Sequence, residues 1–83
     1  MSKKQQTKKN LDLTVKLSDF IASHPELYQT TISGVSIVPF SATDQKLNTE
    51  NEKLVEGLLE EGKRVVKAQE TKNKNTPWEF IPV

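Results

Sequence analysis

Cysteine is missing from this chain, which excludes a disulfide framework and any thiolate metal site. A single histidine, His24, leaves no material for a histidine-rich zinc site. No apolar run approaches the roughly 18–20 residues that cross a bilayer, and the N-terminus lacks the apolar core of a signal peptide. These absences predict a cytoplasmic protein with no membrane association and with neither metal nor cofactor. Glycine is scarce as well, with three in the chain. Neither G-x-G-x-x-G nor G-x-x-x-x-G-K-S/T follows the first predicted strand, so dinucleotide and P-loop sites lack their phosphate cradle. No Ser–His–acid set is suggested by spacing, because His24 precedes any strand-end nucleophile. The expected function is therefore non-enzymatic, with no catalytic residues.

What is present points to one small domain. A chain of 83 residues buries only roughly 60–65% of its unfolded surface, and short chains without staples often gain core by association. Charge is unevenly placed. Lys3, Lys4, Lys8 and Lys9 precede any acid; removing those four from twelve bases leaves eight against eleven acids, a body charge of −3. Residues 1–8 are expected to be a disordered basic tail, and 9–83 a single α/β domain. A basic tail on an acidic body is a poor nucleic-acid footprint, so nucleic acid is an unlikely partner and contact through the lysines the weakest reading.

The central stretch runs from Val35 to Glu70. A strand (Val35–Phe40), an amphipathic helix and a second strand (from Arg64 to about Glu70) form the pattern of a right-handed βαβ crossover. Before it, a helix is predicted from Lys9 or Asn10 to about Ser23. Leu13, Leu17, Phe20 and Ile21 share one face; Leu11, Val15, Ser18 and Ala22 share the opposite one. Pro25 stops this helix and opens a single turn around His24-Pro-Glu-Leu27. Gln29 to Gly34 reads as a polar connection, with Gly34 supplying a turn conformation.

In the first strand Val35, Ile37 and Pro39 face one way, Val38 and Phe40 the other, and Pro39 marks an edge or exit. Thr43 or Asp44 caps the next helix, which runs to Glu61 and ends at Gly62. Leu47, Leu54, Val55, Leu58 and Leu59 form its apolar stripe, with Asn51 inside it and expected to be buried. Only one face of the second strand is strongly apolar, so it is expected at an edge or bordering solvent. A polar turn then leads to a short antiparallel strand, Trp78–Val83. The predicted fold is a small two-layer αβαβ(β) domain: a parallel βαβ core, a short C-terminal antiparallel strand, and both long helices on one face.

Several of these pieces resemble a family of short prokaryotic proteins known only as a domain of unknown function, number five-six-four-seven. The matching elements are Asn10-Leu-Asp-Leu13, His24-Pro-Glu-Leu27, and Gly34 before an apolar strand. Asn51 with Leu54, then Glu60-Glu-Gly-Lys63 followed by Val65-Val66, complete them, from residue 10 nearly to the end. The family's proline-flanked acidic turn is here Pro39-Phe-Ser-Ala-Thr-Asp44, with a single acid. The resemblance implies an α/β fold and no known activity.

Two functions follow from the residues. The first is a protein-interaction module, an adaptor, inhibitor or regulator that binds an unidentified protein partner and acts as a homodimer. Its contact residues are Leu11, Val15, Ser18 and Ala22, unless the C-terminal segment covers that stripe within one chain; Trp78 and Phe80 join them if exposed, packing under a helix being the default for Trp78. The second is a small-ligand or nucleotide-sensing domain. Open α/β sheets take ligands beyond the carboxyl ends of their strands, here at Ser41, Thr43 and Asp44 beside a helix N-terminus.

Overall fold

The computed structural model of the chain describes residues 1–27 and 34–83. The polar connection expected from Gln29 to residue 33 lies outside the described residues. Helix α1 (Lys3–Ala22) is followed by a short α2 (Pro25–Leu27), strand β1 (Ser36–Phe40), helix α3 (Gln45–Glu60) and strands β2 (Val65–Glu70) and β3 (Trp78–Pro82). The sheet order is β1-β2-β3, with β1 parallel to β2 and β3 antiparallel to it. This is the expected small α/β fold, a parallel βαβ unit closed by a C-terminal antiparallel strand.

Local chemistry explains most of the boundaries. Asp44 caps α3, its carboxylate accepting from the Leu47 N–H at 3.1 Å. Gly62, at φ +79°, ends that helix in the left-handed region, and the Gly62 and Lys63 N–H groups close on the carbonyls of Leu59 and Leu58. Gly34 takes φ +75° just before β1, as its place ahead of a strand suggested.

The first correction concerns the N-terminus. Residues 3–8 are helical, so α1 begins at Lys3 and not at Lys9 or Asn10. Ser2 and Gln5 form a capping box: the Ser2 hydroxyl accepts from the Gln5 N–H, and the Gln5 side chain accepts from the Ser2 N–H. Farther along, Gln6, Lys9 and Asn10 bond to α3 or its cap, which anchors a segment that has no apolar stripe of its own.

The second correction concerns β2, which is the central strand and not an edge. Its polar positions are engaged. Lys67 pairs with Glu52 at 2.7 Å and lies over the Phe40 ring, while Gln69 donates to the carbonyls of Ser41 and Glu70. The edge strands are β1 and β3. Ser36 donates to the Arg64 carbonyl beside it, so by alternation Val38 and Phe40 also bond toward β2 while Ile37 and Pro39 turn outward. Pro39, lacking an N–H, sits where no ladder donor is required.

The third correction concerns the helices, which do not share a face. Leu13 and Leu17 of α1 pack with Ala68 and Trp78, joined by Phe20, Ile21, Ile37 and Phe80. Val55 and Leu58 of α3 pack with Val38, Phe40 and Val65. The strand register sets Ala68 and Phe80 on one side of the sheet, and Val38 and Lys67 on the other. The helices thus cover opposite sides, and Leu47 reaches the α1 cluster. Because α3 lies against the β1 side of the sheet, the buried line on it is narrow: Leu47, Asn51 and Val55, with Leu58 partly covered. Leu54 and Leu59, expected in the stripe, are exposed.

Candidate functional site

The turn between β1 and α3 brings together Ser41, Thr43 and Asp44, the residues read from the sequence as a ligand site. Their polar groups are already engaged with one another. The buried Ser41 hydroxyl accepts from the N–H groups of Thr43 (3.1 Å) and Asp44 (3.0 Å). Asn48, one turn into α3, accepts from the Ser41 N–H and donates to its carbonyl. Glu70 accepts from the Ala42 N–H and pairs with Lys16 of α1. Asp44 accepts from Lys9 at 2.8 Å. That bond and the Leu47 N–H hold its carboxyl below the ordinary aspartate range. The N–H groups of Thr43, Asp44 and Leu47, donors that a bound anion would draw on at this helix end, are therefore occupied by the chain's own oxygens.

Beside this turn lies a cluster of amides that the residue pattern only half reveals. Asn51 is 0% exposed. Its Nδ2 donates to the Pro39 carbonyl at 2.8 Å and to Asn10 Oδ1 at 2.7 Å, while its Oδ1 accepts from Asn10 (3.0 Å) and Gln6 (3.1 Å). Burial of Asn51 follows from its place between Leu47 and Leu54. Its partners do not, since Gln6 and Asn10 are distant in sequence and lie where the chain gives no apolar signal. The cluster closes the outward carbonyl of an edge strand and ties both long helices to it. Among the described residues, every buried side-chain nitrogen and oxygen has a partner. No three His, Cys, Asp or Glu side chains among them converge as a metal would require.

The contact residues proposed from sequence divide into two groups. Leu11 is 63% exposed and Val15 57% exposed, and Ser18 and Ala22 continue the exposed line along α1. The C-terminal segment does not cover them. Trp78, for which packing under a helix was the default expectation and a contact surface the alternative, is 7% exposed and packs with Phe80 against the other face of α1. Those two rings belong to the core because β3 returns beside β2, carrying them to the α1 side of the sheet. His24 is half-buried, its ring stacked on Phe20 with 4.3 Å between centroids and its Nδ1 3.0 Å from the Phe20 carbonyl.

At the far end of the sheet an open groove of about 380 Å³ runs between Val35, Lys63, Arg64 and Val83. No sequence motif marked it. Among the described residues no helix is long and apolar enough to cross a membrane. Compared with protein-family models, curated proteins and solved structures, the chain finds no match.

Proposed function

We propose that this chain is a small cytoplasmic, non-enzymatic interaction module that acts as a homodimer and binds through the outer face of α1. The observation that carries the reading is the exposed line of Leu11, Val15, Ser18 and Ala22, two large apolar residues followed by two small ones. Covering that line removes apolar area worth about 25 cal/mol per Å², and a two-fold contact is the commonest way for a small chain to do so. Ser18 and Ala22 permit close approach of a second helix. The resemblance to short prokaryotic proteins of unassigned activity fits this reading and adds no chemistry to it. A ligand at the Ser41–Asp44 turn has less support, because its donors are engaged.

Val15→Glu tests the reading. Since Val15 is exposed within one chain, the change is expected to leave thermal stability of the monomer within about 0.5 kcal/mol. It should convert a dimer seen by sedimentation at micromolar concentration into a monomer. A wild-type chain that sediments as a monomer at high micromolar concentration overturns the proposal.

A further inference from the structure

Helix α1 carries its charges in places that suit a solitary helix poorly. No acidic side chain lies in its first turn and no basic one in its last, so neither end of its dipole is complemented. The first turn instead holds Lys3 and Lys4, and the last holds Asp19. The charged residues then sort by face. Lys9 and Lys16, turned toward the body of the domain, pair with Asp44 and Glu70. Lys4, Lys8, Asp12 and Asp19 enter no ion pair among the described residues. At about 100° per residue, Lys8 and Asp19 fall on one flank of the Leu11–Val15–Ala22 line, roughly 20° apart, and Lys4 falls on the line itself.

We propose that two copies pair antiparallel through α1, about a two-fold axis, with Lys8 of each copy against Asp19 of the other. This inference rests on the reading of α1 as the contact between copies and adds direction and register to it. A two-fold axis perpendicular to both helices reverses chain direction while keeping each flank on its own side. The Lys8 end of one flank therefore meets the Asp19 end of the other, and does so twice. In that register Leu11 packs against Val15 of the second copy. Lys4 overlies Ala22, where its ammonium lies at the negative end of the opposing helix dipole. A parallel pairing sets lysine against lysine and leaves both dipole ends as they were.

Charge reversal tests the register. Lys8→Glu and Asp19→Lys, made singly, each place like charges at both symmetric contacts and should weaken the dimer about tenfold at low salt. The two changes together should return its dissociation constant to within about threefold of wild type. Cross-linking tests the direction, because the chain has no native cysteine. Lys8→Cys combined with Asp19→Cys should yield a disulfide-linked dimer on oxidation. Ala22→Cys should not, its two copies lying roughly 27 Å apart along the helix axes. A dimer that ignores the single reversals, or that cross-links readily through Ala22→Cys, overturns the antiparallel register and leaves the homodimer standing. A chain that never dimerises overturns both.

Discussion

Asn51 shows how one polar side chain can bind three elements. Its amide joins the Pro39 carbonyl at the edge of the sheet to Asn10 and Gln6 of α1. Replacing it with leucine keeps the branching pattern but leaves those groups facing a bulkier, apolar side chain. Asn51→Leu is expected to destabilise the domain by about 1–3 kcal/mol, read from urea midpoints at unchanged slope. Asp44 poses a different question, because its effect depends on pH. Its carboxyl titrates below the usual range in the folded chain, chiefly through Lys9 and then through the Leu47 N–H. A depressed folded pKa gives stability that is present above about pH 4 and lost as pH falls through the folded value. Lys9→Ala should raise the Asp44 titration midpoint, seen by NMR, and shallow the acid-side loss of stability.

Among the elements, α1 departs furthest from what residue patterns convey. Its capping box costs little sequence, one serine and one glutamine, yet it starts a helix whose first two turns bury no apolar side chain. Ser2→Ala should cost about 1 kcal/mol or less and raise amide exchange in residues 3–8, while Leu13 and Leu17 stay protected. The Ser2-Lys-Lys-Gln5 spacing was the local signal for this start, and hydrophobic periodicity does not register it. The strand spans, the α3 cap, both glycine turns and the burial of Asn51 were legible, since each depends on residues within one or two turns of chain. Which side of the sheet each helix covers was not. Alternation along β1 and β2 sorts residues into two faces, but it does not say which helix each face receives. Leu54 and Leu59 illustrate the same limit: their spacing is that of a buried stripe, and only the position of α3 over β1 leaves them outside. In the candidate site, the meeting of Ser41, Thr43 and Asp44 was readable from the turn. Their mutual bonding, together with Asn48 and Glu70, was not.

For the whole molecule, the proposed dimer would link stability to concentration. Pairing through α1, if it forms, adds a free-energy term that grows with protein concentration, so the wild-type thermal midpoint should then rise on concentration. In Val15→Glu it should stay constant, a second readout of the same variant. The sheet topology has a further consequence, for the order of folding. The turn between β2 and β3 is short, and closing it places Ala68 beside Phe80 with little loss of chain entropy. Joining β1 to β2 instead requires the whole of α3 to be traversed before the first ladder bond forms, as when Ser36 comes beside Val65. The hairpin can therefore assemble early and cheaply, whereas the parallel pair is the slow, non-local event. Residues that hold α3 near β1 before that pairing is complete, Asn51 foremost, then govern how quickly the protein reaches its native state as well as how firmly it stays there.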